Sequence, residues 1–139
     1  MQSRIIAIDF GLKRCGLAIS DENNIIASPL ETVESDKLIS KLHTLIAPNN
    51  IGTIVIGNPK RLNNTDMPIS QNIQLLIENL ISVFPNVKIE LYDERFTSSI
   101  AAQTLYFGGA SRKQKHSKEN LDKISAAIIL QSYMTRNGY

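Results

Sequence analysis

The sequence predicts an α/β fold. It is a mixed five-stranded sheet, an antiparallel three-strand meander plus two parallel strands, with helices on both faces. Three observations lead there. Short, β-branched apolar runs fill the first quarter of the chain, joined by turns too short for a crossover helix. Two further apolar runs then alternate with segments whose apolar residues keep helical spacing. No linker, repeat or low-complexity segment interrupts the 139 residues, so residues 1–139 read as one domain.

The elements follow in order. Arg4 to Asp9 (RIIAID) is a buried strand ended by Gly11. Gly16 to Ser20 and Ile25 to Val33 are the second and third strands. The turns between them, at Gly11-Leu12-Lys13-Arg14 and Asp21-Glu22-Asn23-Asn24, make the three antiparallel neighbours. Ser35-Asp36 can cap a helix that runs to about Ala47, with Leu38, Leu42, Leu45 and Ile46 on its apolar side and Pro48 as its stop. Thr53 to Gly57 is a strand. Pro68 to Phe84 is a helix with Ile69, Ile73, Leu76, Ile77 and Leu80 on one side, and Val87 to Tyr92 is the next strand. Thr97 to Phe107 reads as a helix closed by Gly108-Gly109, Ser111 to Lys118 as a polar, basic loop, and Glu119 to Thr135 as the final helix.

Composition narrows the classes. Hydrophobic residues make up 42% and the formal net charge is +2. This is globular composition, and it excludes a bulk polycation, so a nucleic-acid surface has to come from local clustering. The single cysteine, Cys15, cannot form an internal disulfide, and no Cys/His set has zinc spacing. Cys15, Tyr106, Phe107 and Tyr133 read as packing residues and His43 as a surface one. The N-terminal apolar run stops at Asp9, short of a signal peptide, and no stretch approaches the ~20 apolar residues of a membrane span. The expected location is the cytoplasm, with no membrane partner.

Three acids stand where chemistry is expected. Asp9 closes an apolar strand beside a glycine turn. It is either an accessible, rigidly held ligand or a turn residue bonded to its own backbone. Asp93-Glu94-Arg95 follows a strand end, where open α/β sheets bind ligands, and because strand neighbours alternate faces only one of the two acids can enter a given cleft. Asp122 shares a helical face with Ala126, Ile129 and Tyr133. An acid on a packing face is costly unless paired or bound to metal, although near a helix start it also favours the dipole. Basic residues accompany the acids: Lys13 and Arg14, Lys60 and Arg61, Arg95, and the run holding Arg112, Lys113, Lys115, His116 and Lys118. Four such clusters around three acids suit a phosphate-tracking rim, and the absence of Trp leaves little for base stacking.

Four blocks carry a resemblance. IIAIDFGLKRCGLAISDE, IVIGNPKRLNNTD, YDERFTS and LDKISAAIILQSYM resemble, in order and across nearly the whole chain, the blocks of the YqgF family of bacterial Holliday-junction-resolvase-like proteins. That resemblance implies an RNase H-like fold in which Asp9, Glu94 and Asp122 hold Mg²⁺ or Mn²⁺ and catalyse phosphodiester hydrolysis. Hard oxygen ligands suit those ions. It further implies maturation of the 5′ end of pre-16S rRNA, with branched DNA as the alternative substrate, by a monomer or homodimer. One block departs: Leu62-Asn63-Asn64-Thr65 stands where the family has a glycine, which bears on loop shape and leaves the acids untouched. Two other classes compete. A non-catalytic RNA-binding, ribosome-associated factor would have no reason to place Asp122 on a packing face. The sugar-kinase and actin-type ATPases also open with D-x-G, but they bind nucleotide between two such domains.

Overall fold

The computed structural model describes residues 3–58, 67–93 and 118–137, with positions 58, 67–70, 93 and 118–122 described by their backbone. The elements are β1 (Arg4–Asp9), β2 (Arg14–Ser20), β3 (Ala27–Glu34), a 3₁₀ turn (Ser35–Lys37), α1 (Leu38–Ile46), β4 (Ile51–Asn58), α2 (Met67–Val83), β5 (Lys88–Asp93) and α3 (Lys118–Arg136). The sheet order is β3-β2-β1-β4-β5. The meander β1-β2-β3 is antiparallel, while β4 runs parallel to both β1 and β5. The mixed five-stranded sheet expected from the pattern is therefore the one observed. The helix expected at Thr97 to Phe107 lies outside the described residues, as does the basic loop except for Lys118, which opens α3.

Alternation along β1 divides the core. Ile6 and Ile8 face a cluster with Leu17, Ile19, Ile54 and Ile56, covered by Leu38 and Leu42 of α1 and by Ile73, Leu76 and Leu80 of α2. Ile5 and Ala7 face the other way, into a second cluster with Ala18, Val55 and Tyr92, covered by Ala126, Ala127, Ile129, Leu130, Tyr133 and Met134 of α3. Helices thus cover both faces, and Asp9, two residues beyond Ala7, falls on the α3 side. Cys15 and Tyr133 are buried as expected. His43 is exposed with its ring 4.8 Å from Phe84.

Two polar arrangements set the ends of the meander. The buried Ser20 hydroxyl donates to Asn24 Oδ1 at 2.6 Å and accepts the Ile5 N–H at 2.8 Å. Asn24 Nδ2 donates to the Ser3 carbonyl at 2.9 Å, and Asn24 takes φ 54°, a conformation its short polar side chain tolerates. Together these bonds pin the start of β1 to the end of β2. In the β2–β3 turn, Asp21 Oδ1 accepts the Ile25 N–H at 2.6 Å and the Ile26 N–H at 2.9 Å. The turn therefore extends through Ile26, and β3 begins at Ala27 rather than Ile25. Ser35-Asp36 does not cap α1. That helix starts one 3₁₀ turn later, and no side chain caps it.

The two N–H groups on Asp21 hold its carboxyl below the ordinary value of 3.8, Ile26 contributing most and Ile25 next. A lowered folded-state pKa stabilises the native state above 3.8, and that stabilisation is lost as pH falls through the folded value. Asp21→Asn is expected to be less stable than wild type at pH 7, with the gap closing below pH 3.8. Urea unfolding at a series of pH values measures it, and a gap constant with pH would contradict the ionised bond.

Candidate active site

β1, β4 and β5 are parallel, so Asp9, Asn58 and Asp93 end at one edge of the sheet. Neighbouring strands are ~4.8 Å apart, which puts the ends of β1 and β5, on either side of β4, ~10 Å from each other. Ile8 is in register with Ile56 and Gly57 with Tyr92, so Gly57 is the position between Asp9 and Tyr92. Gly57 continues the parity of Val55, so it faces α3 and brings no side chain beside the half-buried Asp9.

α3 is anchored at the far end of the sheet. Gln131 Nε2 donates to the Ile25 carbonyl at 3.0 Å, and its Oε1 accepts the Ala27 N–H at 3.1 Å. Ala27 is in register with Ser20 at the level where β1 begins. Back from Gln131 to position 122 the helix rises ~13 Å, the same run as from Ile5 to Asp9 along β1. Ala126, Ile129 and Tyr133, which share the helical face of position 122, are all buried.

The basic residues divide. Lys13 is exposed at the tip of the β1–β2 hairpin, and Arg14, half-buried, opens β2 rather than sitting in the turn. The hairpin is fixed from below: Ser35 Oγ donates to the Gly11 carbonyl at 2.6 Å, and Ser35 N–H to the Lys13 carbonyl at 2.9 Å. A Cβ on Gly11 would stand 2.5 Å from the Arg14 carbonyl oxygen, so only glycine fits that approach. Ser35, expected as a helix cap, spends its hydroxyl on this loop instead. A cleft of about 670 Å³ on the hairpin flank is lined by Lys13, Arg14, Thr32, Glu34 and Asp36 among others. Its charge is mixed and Asp9 does not line it. Glu94, Lys60, Arg61, Arg95, Arg112, Lys113 and Lys115 lie outside the described residues. The described strands β4 and β5 end at Asn58 and Asp93, just before the two stretches that carry them in sequence. Among the described residues no three His, Cys, Asp or Glu side chains stand together as a metal site. Nor, among them, is any helix long and apolar enough to cross a membrane.

Sequence reasoning missed Gln131 and the pairing of Tyr92 with Ser132, whose oxygens are 2.6 Å apart. Both sites fall within the matched blocks. Continuing the alternation of β5 beneath α3 would have pointed to Tyr92.

A fold of this kind, an acid-ended central strand beneath a final helix, is that of the RNase H-like nucleases. It is similar to the T. thermophilus RuvC resolvase solved in complex with a Holliday junction substrate, with a TM-score of 0.66 at 11% identity over 99% of this chain and 98% of that one. A family model described as RuvX: Holliday junction resolvase matches residues 3–136, and the chain belongs to this RuvX family. Membership places it among nucleases, hydrolases of phosphodiester bonds. A relative from Amoebophilus asiaticus is 45% identical over 95% of this chain and 94% of its own. One from Flavobacterium psychrophilum is 41% identical over 96% and 97%. Both carry the provisional name pre-16S rRNA nuclease.

Ser35→Ala removes the bond that seats the hairpin. It is expected to cost ~1 kcal/mol and to speed hydrogen exchange at Lys13 and Arg14, while Ser35→Thr keeps the wild-type pattern. Unchanged exchange in Ser35→Ala would show that the hairpin holds itself.

Proposed function

We propose that this protein is a divalent-metal-dependent nuclease of the cytoplasm that processes the 5′ end of pre-16S rRNA, with Asp9, Glu94 and Asp122 as its carboxylate set. The single chain acts as one domain. One observation carries the reading: Asp9 ends the central strand on the α3 face, at the same edge of the sheet where the parallel β4 and β5 end. The alternation of β5 supports Glu94 over Asp93. Glu90 and Tyr92 meet α3, and a ligand two positions on from Tyr92 would keep that parity. The rRNA substrate comes from the names of the relatives, which span nearly the whole chain.

The donor chemistry fits a hard cation, since all three proposed ligands are carboxylates. Bound there, a pair of Mg²⁺ or Mn²⁺ ions would activate water and stabilise the leaving oxygen. The protein's own part is positional. β1 holds Asp9 rigidly, and Ser35 holds the backbone that presents Lys13 toward the substrate strand. Lys60, Arg61, Arg95, Arg112, Lys113 and Lys115 supply positive charge along the strand. The second reading, resolution of branched DNA, draws on the family description and on the fold shared with a junction-bound resolvase.

Labelled pre-16S rRNA, single-stranded RNA and a four-way DNA junction, each with Mg²⁺, Mn²⁺ or chelator, test both readings. The expected result is cleavage at the 5′ region of the precursor that stops in chelator and falls at least ~10²-fold in Asp9→Asn. Preferred cutting of the junction would favour the second reading. Full activity in excess chelator would remove the metal mechanism.

A further inference from the structure

We propose that Tyr92 and Tyr133, through Ser132 and Glu90, form a clasp that sets the spacing between β5 and α3 and so tunes how tightly the carboxylate site holds its divalent ion. They act as positioning residues. The inference rests on the reading of Asp9, Glu94 and Asp122 as the metal-binding set.

The clasp has two hydrogen bonds and one ring contact. The Tyr92 hydroxyl lies 2.6 Å from Ser132 Oγ, both buried, and the Tyr133 hydroxyl donates to Glu90. The two rings meet edge to face, 5.8 Å between centroids at 83°. Glu90 is also 3.5 Å from Lys88 Nζ, so its carboxylate is held between a cation and a phenol. If this corner needed only apolar filling, two phenylalanines and an alanine would supply it. The polar atoms add direction: each bond crosses from β5 to α3.

Those two elements are the ones whose spacing matters. Glu94 follows Tyr92 by two positions, and Asp122 lies on the helix that carries Ser132 and Tyr133. Among the described residues β5 is an edge strand, hydrogen-bonded to β4 alone, so no described strand holds its outer side. α3 is seated mainly over β2 and β3 and next over β1, and the clasp ties the β5 corner to it. From Ser132 to position 122 the helix is a lever ~15 Å long. A tilt of ~4° at the clasp moves position 122 by ~1 Å, and an offset of that size at a reacting centre costs ~10²-fold.

Titration calorimetry with Mn²⁺ on the full chain tests this, alongside cleavage as a function of Mg²⁺. Tyr92→Phe keeps the ring and its packing. Tyr92→Phe and Ser132→Ala should each weaken Mn²⁺ binding by ~10-fold or more. The double variant should be no weaker than the worse single, because both remove one bond. The Mg²⁺ needed for half-maximal cleavage should rise in step, while RNA binding in chelator stays at the wild-type value. Leu42→Ala, buried on the opposite face, should lose stability and keep wild-type Mn²⁺ affinity. Wild-type Mn²⁺ affinity in Tyr92→Phe, while Asp9→Asn loses binding, would overturn the clasp and leave the metal reading standing. An equal loss in Leu42→Ala would overturn it too. A wild-type protein that binds no Mn²⁺ and cleaves nothing would remove the metal reading, and the clasp with it.

Discussion

Ala7 on β1 and Ala18 on β2 stand opposite each other in the sheet, and neither offers more than a methyl group to the helix above. Ala126 and Ala127 meet them from α3, and all four are at most 3% exposed. Small residues on both sides let the helix backbone come close, and the larger Ile5, Ile129, Leu130 and Met134 fill the space around the seam. Everything proposed for the site depends on this seating. It decides which face of β1 is closed and whether Tyr92 can meet Ser132. A larger residue at Ala7 or Ala126 would overpack the seam, typically at ~1–3 kcal/mol, and would lift the helix from the edge where Asp9 ends.

The opposite face does a different task. Buried isoleucines and leucines from β1, β2, β4, α1 and α2 make a conventional core, and Asp9 is not on that side. The alternation of one six-residue strand thus separates stability from chemistry. Ile6 and Ile8 anchor the strand, while Ile5, Ala7 and Asp9 face the helix. An anchored strand can hold a carboxylate rigidly at its end, as ligand positions require.

Much of this was legible in the chain because the local signals agreed. The meander, the two parallel strands and the helical stripes all follow from period and turn length, and Cys15 and Tyr133 are buried as their settings imply. The misses share one cause: a polar side chain was diverted to a partner that local sequence does not show. Ser35 looks like a helix cap, yet its hydroxyl serves the Gly11 carbonyl, 24 residues earlier. Ile25 and Ile26 look like strand, yet Asp21 captures both amides, and the side chains are 57% and 59% exposed. Gln131 looks like solvated helix, yet it completes the hydrogen bonding at the start of β3. For the site, the sequence marked Asp9 and Asp122 by an acid at a strand end and an acid on an apolar stripe. What it did not show is the Gln131 anchor, which fixes the helix at the far end of the sheet.

The central claim is that Asp122 is a metal-site acid rather than a structural one, and it can be tested without any substrate. Carboxylates gathered in one site repel each other when no cation is present. Thermal melts of wild type and Asp122→Asn, with and without Mn²⁺, separate the two roles. The expected result is a metal-free variant at least as stable as wild type that loses most of the stabilisation Mn²⁺ confers, since a ligand stabilises only through its affinity for the native state. A clearly lower melting point for the metal-free variant, with an unchanged Mn²⁺ response, would contradict the assignment.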